Sequence, residues 1–317
     1  MSRRNAFLLL LLGVAVLAGC DGPPAGSLPP VDLSKRKARV LATTSMIADL
    51  VRQLGGSHVE VTQMMQAGVD PHSYRASAGD VQKMQQADIV FHNGLHLEGK
   101  MSDVFEQMAQ RVRTVAVTRD LSPATDLRKA EEGYEGTHDP HVWFSVRLWS
   151  KVAETVCNAL CDLDPAHAAE FRQNTSAYQK QLTALDEEVR VKAQLVPESR
   201  RKLVTAHDAF YYFGQAYGFE VRGLQGVSTN DEPNTRRVQE LARYIAENKI
   251  PAIFGESSVP DRSIEAVQQA SKKGWKHDVR LLGGELFSDS LDDADKPAGT
   301  YIGMIRHNVD TIVNALK

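Results

Sequence analysis

The sequence predicts an α/β protein: two α/β lobes with mainly parallel sheets, joined by one long rigid helix. Three observations carry this. Short β-branched apolar stretches alternate with amphipathic helical ones through both halves of the 317 residues, the pattern of parallel sheets. Between the halves, Ala166 to Val196 contains neither glycine nor proline. Histidine and aspartate recur just beyond strands, where the loops of open α/β sheets converge on ligands.

In chain order, "MSRRNAFLLLLLGVAVLAGC" comes first. Arg3 and Arg4 precede an apolar run too short for a stable membrane anchor, so residues 1–20 read as a secretory signal. Its ending, Leu17-Ala18-Gly19-Cys20, resembles a bacterial lipoprotein processing site, which makes Cys20 the expected lipidated residue. Residues 21–38 are rich in Pro, Gly and Ser and read as a tether. "ARVLATT" is a strand and "MIADLVRQLGG" an amphipathic helix closed by Gly55 and Gly56. "VEVTQMM" is a second strand. Ser77 and Asp80 have capping-box spacing before a helix over "VQKMQQA". "DIVFHNG" and "TVAVT" are further strands, and "VRLWSKVAETVCNALCDL" is a helix. Cys157 and Cys161 lie near its apolar side and read as buried free thiols.

From Asp164 onward the chain predicts one helix of about 31 residues, roughly 45 Å long, over the competing reading of two shorter helices broken near Asn174 to Ser176. Asp164 is its expected N-cap and Pro165 suits its first turn. The second half repeats the alternation. "KLVTAH", "FEVRGLQGV", "PAIFGE" and "VRLLGGELF" are strands; "AFYYFGQAYG", "TRRVQELARYIAENK", "RSIEAVQQASKKG" and "TYIGMIRHNVDTIVNALK" are helices. The expected division is a lobe at 39–163, a linking helix at 164–196 and a lobe at 197–317. Apolar content of 42%, charged content of 24% and a net charge of −3 describe a soluble globular protein without the basic excess of a nucleic-acid binder.

The tripeptide Asp-Pro-His occurs twice, ending at His72 and His141. Proline fixes its own φ and restricts the residue before it, so both histidines sit on stiffened loops. His207 stands where a strand yields to a helix, and Asp289 follows the last strand. Two come from each half, which predicts a site in the cleft between lobes. Three imidazoles and a carboxylate suit a divalent transition metal. Four protein donors close a zinc sphere, which holds an ion without presenting an activated water. The other seven histidines, His58, His92, His96, His138, His167, His277 and His307, read as structural or surface residues.

"DPHSYRASAGDVQKMQQADIVFHNGLHLEGKM", "DPHVWFSVRLW", "LVTAHDAFYYFGQAYG" and "ELFSDSL…GTYIGMIRHNVDTIVNAL" resemble the TroA-like solute-binding proteins of zinc and manganese ABC importers. The resemblance runs from about Arg39 to the C-terminus. It implies two α/β lobes on one long helix, and metal ligands at His72, His141, His207 and Asp289. It further implies one Zn²⁺ or Mn²⁺ per chain as cargo, partnership with an ABC permease and its ATPase subunit, and a lipid-anchored monomer on the extracytoplasmic face. At the third ligand position manganese-dedicated members usually carry Glu, so His207 favours zinc. The long His-rich loop common in zinc-dedicated members is absent; "LSPATDLRKAEEGYEGTHDPH" is short. Affinity is expected to fall below about pH 6, because imidazole binds metal only when neutral.

Two alternatives are a cell-envelope metallohydrolase and a surface adhesin. The first lacks His-Glu-x-x-His, and "GESSVP" lacks Gly-x-Ser-x-Gly. Glu232 and Glu256 are its available carboxylates, although both read better as loop or supporting residues.

Overall fold

The computed structural model describes residues 28–130, 134–230 and 232–317. The predicted signal with Cys20, and tether residues 21–27, lie outside the described residues. Two four-stranded sheets, all parallel, form the framework.

The first contains β1 (Ala38–Ala42), β2 (Val59–Gln63), β3 (Ile89–His92) and β4 (Arg113–Ala116), in the order β2-β1-β3-β4. The second contains β5 (Lys202–Thr205), β6 (Glu220–Gly223), β7 (Ala252–Glu256) and β8 (Arg280–Leu286), in the order β6-β5-β7-β8. The two orders match strand for strand, so each half repeats one topology. Parallel neighbours require crossovers. In the first half these contain α1 (Ser45–Gly55), α2 (Ala78–Gln86) and α3 (Ser102–Ala109). In the second they are α6 (Tyr211–Tyr217), α7 (Thr235–Glu247) and α8 (Arg262–Trp275).

Local chemistry explains the helix starts. Thr44 accepts from the Ile47 backbone N–H to begin α1. Ser77 and Asp80 form the reciprocal capping box expected for α2. Helix α3 is not assigned from sequence. It has no side-chain cap bond and no glycine at its end, so neither boundary carries a start or stop signal.

Three helices hold the halves together: α4 (Val146–Leu163), α5 (Ala168–Ala193) and α9 (Tyr301–Leu316). Helix α5 runs unbroken through Asn174–Ser176, and its 26 residues span about 39 Å at 1.5 Å per residue. It is shorter than the sequence predicts. Asp164 makes no side-chain cap, and Pro165–His167 instead form a 3₁₀ turn. Asp164 Oδ2 accepts from His167 Nδ1 at 2.7 Å, which draws that carboxylate aside.

Helix α5 packs on α1, α4 and α9. Leu50, Trp149, Phe171, Leu185, Phe210 and Ile312 belong to one continuous apolar core that includes residues of both sheets. The halves therefore share an interior, and moving one against the other would expose packed surface. Cys157 and Cys161 are buried free thiols on α4.

Candidate metal centre

All four predicted donors lie on segments that follow strands, close to the strand end for His207 and Asp289 and farther along the loop for His72 and His141. His72 follows β2, His141 follows β4, His207 follows β5 and Asp289 follows β8. The fold brings them together, and each is at most 1% exposed.

Each Asp-Pro-His tripeptide folds on itself in the same way. Asp70 Oδ1 accepts from the His72 backbone N–H at 2.9 Å, and Asp139 Oδ1 from that of His141 at 3.0 Å. These are aspartate turns, in which the side chain stands in for a backbone acceptor. Proline alone does not explain the repeat, since the aspartate fixes the histidine's backbone. His207 is placed differently. Its N–H donates to Glu256 Oε1 at 2.8 Å, and its carbonyl accepts from Thr205 Oγ1 at 2.7 Å.

The rings meet through their Nε2 atoms. His141 Nε2 lies 3.2 Å from His72 Nε2 and 3.3 Å from His207 Nε2. Asp289 Oδ1 is 3.5 Å from His141 Nε2, and its Oδ2 is 3.3 Å from His207 Nε2. Donors bonded to one tetrahedral ion at about 2.0–2.1 Å stand roughly 3.3 Å apart. Those four pairs have that spacing, and all four donor atoms lie within 4.8 Å of one another.

Carboxylates behind the rings fix which nitrogen faces inward. His141 Nδ1 donates to Asp139 Oδ1 at 2.8 Å, and His207 Nδ1 to Glu256 Oε2 at 2.5 Å. With each Nδ1 proton engaged, each Nε2 presents a lone pair to the centre. Ser258 and Ser288 hydroxyls donate to Asp289 Oδ2 at 3.2 and 3.4 Å. Asp289 Oδ1 is buried and accepts no hydrogen bond from any described residue. A buried carboxylate oxygen without a donor is a costly arrangement for a protein to keep, and a bound cation would offset that cost.

Charge follows the same geometry. Burial lowers the His72 pKa well below the ordinary histidine value, outweighing the attraction of Asp289. Burial also disfavours charge at His141, but Asp139 and Asp289 overcome it and raise that pKa. At His207, Glu256 and Asp289 overcome burial by a wide margin. Burial resists ionisation of Asp289, yet His207 and the contact with His141 hold its carboxyl well below the usual range. The site is a buried anion facing two rings, His141 and His207, that readily take protons and a third, His72, that resists them.

Several groups that hold the centre are not assigned from sequence. Arg128 Nη1 donates to Asp139 Oδ2 at 3.3 Å and to Asp208 Oδ2 at 2.7 Å. One guanidinium thus joins the carboxylate behind His141 to the residue after His207, across the two halves. The Tyr212 hydroxyl accepts from the Arg128 N–H and donates to the Asp139 carbonyl. Thr229 donates to Asp70 Oδ2 at 2.7 Å, and Asn230 to the His72 carbonyl at 3.1 Å. The available signal was the aspartate two places before each loop histidine; Arg128 gave none. Glu256 is a supporting residue, as expected, whereas Glu232 is exposed.

Known proteins are similar to this chain along most of its length. The chain is 49% identical over 280 residues to the zinc-binding protein TroA of Treponema pallidum (strain Nichols), covering 88% of this chain and 89% of that one. The solved structure of the periplasmic zinc-binding protein TroA from Treponema pallidum superposes with a TM-score of 0.84, covering 88% and 99% of the respective chains. Identity is 43% over 315 residues to the manganese-binding lipoprotein MntA of Bacillus subtilis (strain 168), covering 99% and 100%. It is 30% over 321 residues to the metal ABC transporter substrate-binding lipoprotein SsaB of Streptococcus sanguinis, covering 100% and 99%. The profile of the family described as "ZnuA: Zinc-uptake complex component A periplasmic" matches residues 40–315, and the chain belongs to that family.

Proposed function

We propose that this chain is the extracytoplasmic substrate-binding component of an ABC importer, and that its cargo is one divalent transition-metal ion, zinc first and manganese second. His72, His141, His207 and Asp289 are the ligands in this reading. The observation that carries it is the buried group of three Nε2 atoms and one carboxylate at the spacing of a common ion. Three imidazoles favour zinc over harder ions. Relatives named for zinc, for manganese and for metal ABC transport support the class of cargo.

The arrangement suits carriage. Four protein donors close a tetrahedral sphere and leave no position for a reactive water. Glu256, the nearest alternative for a general base, already spends both oxygens on His207. The partners are a membrane permease and its ATPase subunit. Further parts of the reading are a lipid anchor on Cys20, a monomeric state, and lobes at 39–163 and 197–317 on the linking segment 164–196. Relatives named as lipoproteins support the anchor.

The decisive measurement is elemental analysis of protein isolated without added metal, followed by Zn²⁺ and Mn²⁺ competition at buffered free concentrations. The expected result is close to one ion per chain, with zinc bound more tightly. His207→Ala should lower affinity by about 100-fold or more, beyond the 10–100-fold typical of supporting groups, while keeping the folded circular dichroism spectrum. Two or more tightly bound ions, or unchanged affinity in the variant, would refute the assignment.

A further inference from the structure

A cavity of about 120 Å³ adjoins the buried centre, walled in part by His72, His96, Lys100, Tyr134, Glu135 and Asn230. His96 Nε2 and Glu135 Oε2 face each other there at 3.0 Å. Neither takes part in the buried four-donor group.

The backbone around His96 is strained. Gly94, Leu95 and His96 all have positive φ, at 83°, 53° and 66°. Left-handed geometry is unfavourable for leucine and histidine, and it persists only where surroundings impose it. Here they do. The Tyr134 hydroxyl donates to the Leu95 carbonyl at 3.0 Å. The His96 ring lies over Gly99, where a Cβ would come within 2.5 Å of Nε2. A Cβ at Gly136 would come within 2.9 Å of His96 Cβ. Two glycines and a tyrosine thus hold this imidazole against the cavity.

Exposure falls steadily along the wall. The Glu135 side chain is 74% exposed, that of His96 is 29% exposed, and His72 is 1% exposed. We propose that His96 and Glu135 form a vestibule site that captures the incoming divalent ion from solvent and passes it to His72. This rests on the reading of the buried group as the cargo site.

The chemistry is a ligand exchange with no change of oxidation state. An ion bonded to nitrogen and oxygen at about 2.0–2.2 Å separates the two donors by roughly 3.3 Å at the tetrahedral angle. The His96–Glu135 pair needs to open by only a few tenths of an ångström. The ion takes the place of the Nε2 proton in their shared hydrogen bond; that proton passes to solvent water, His96 keeps one ring proton on Nδ1, and the ion keeps water on its remaining positions. Lys100 on the same wall repels a cation, and two donors make a weak site, so the ion moves on instead of stopping. His72 then displaces a water, and His96 and Glu135 let the ion go as the other buried donors displace the rest.

A site of this kind changes rates and leaves the equilibrium alone. Mixing Zn²⁺ with the full chain in stopped flow tests it, with Trp143 as reporter, because its ring centroid lies 5.2 Å from that of His141. Asparagine tolerates left-handed backbone, so His96→Asn avoids added strain; Glu135→Gln is the second variant. Both should slow capture and release by the same factor, fivefold or more, with Kd within twofold of the parent. Any other pattern overturns the proposal, including unchanged rates or weakened affinity at an unchanged capture rate. A parent chain that binds no Zn²⁺ would sink the buried site as well, whereas normal parent binding with unaltered variant rates would sink the vestibule alone.

Discussion

At the scale of single residues, the centre depends on carboxylates that touch no ion. Glu256 takes both the N–H and Nδ1 of His207, so it sets the backbone and the ring of one donor together. Glu256→Gln keeps the shape and removes the charge. Metal affinity should fall by about 10–100-fold, measured by chelator competition, and the metal-free protein should unfold at a lower temperature, because a Gln amide offers only one acceptor to the two His207 donors. The same carboxylates shape the pH response. Metal binds neutral imidazole, and the pKa values of His207 and His141 are raised above the ordinary value of about 6.5. Protons therefore compete at every pH below those raised values. Apparent Zn²⁺ affinity should climb with pH through and beyond about 6.5, a higher window than isolated histidines would give. Competition titrations that show a flat profile above that point would contradict the sign worked out here. The sequence made the four donors legible because Asp-Pro-His occurs twice and His207 and Asp289 end strands. It hid Arg128, whose carboxylate partners Asp139 and Asp208 lie 11 and 80 positions away; no local pattern marks such a residue.

At the scale of elements, strands position the loops and small residues let them close. Gly223 ends β6 beneath the His207 loop, and a Cβ there would lie 2.4 Å from the Asp208 nitrogen and 2.5 Å from the His207 carbonyl carbon. Such a contact with backbone cannot relax by a side-chain rotation. Gly223→Ala should cost about 1–3 kcal/mol of stability and weaken metal binding, read by chemical denaturation and competition titration on one preparation. Unchanged affinity would mean that the His207 loop tolerates displacement. The pairing of β7 and β8 shifts register between Phe254 and Glu256, beside the carboxylate that holds His207. Bulges of this kind re-aim side chains. Among the described residues, the eight strands and every α-helix except α3 were legible, from apolar period or, for α5, from a long run without glycine or proline. Helix α3 was not, since it has neither a side-chain N-cap nor a glycine stop, whereas the seven-residue α6 ends at Gly218. The start of α5 was misjudged because Asp164 turned to His167 instead of capping.

At the scale of the whole molecule, the halves are two copies of one topology fused through a shared interior. The core that includes Trp149, Phe171, Leu185 and Tyr301 runs under both sheets. Hydrogen bonds cross above it, from Tyr301 N–H to Asp49 and from Leu291 N–H to Ser45. The scaffold thus resists wide opening and confines ligand exchange to loops. Bound metal should stabilise the fold by mass action, by about 2.7 kcal/mol at 100 times Kd, seen as a rise in unfolding temperature with Zn²⁺. A larger rise with Mn²⁺ at matched free concentration would reverse the order of cargo. By itself, the sequence determined the α/β class, the long helix and the chemical identity of the donors, because apolar period and residue type are written locally. The tertiary structure alone decided that four donors from segments that follow strands, up to 217 positions apart, stand 3.2–3.5 Å from their neighbours. It also decided that Arg128 ties their loops across the halves. Those distances follow from how two sheets pack against α4, α5 and α9, and packing between distant segments leaves no periodic trace along the chain.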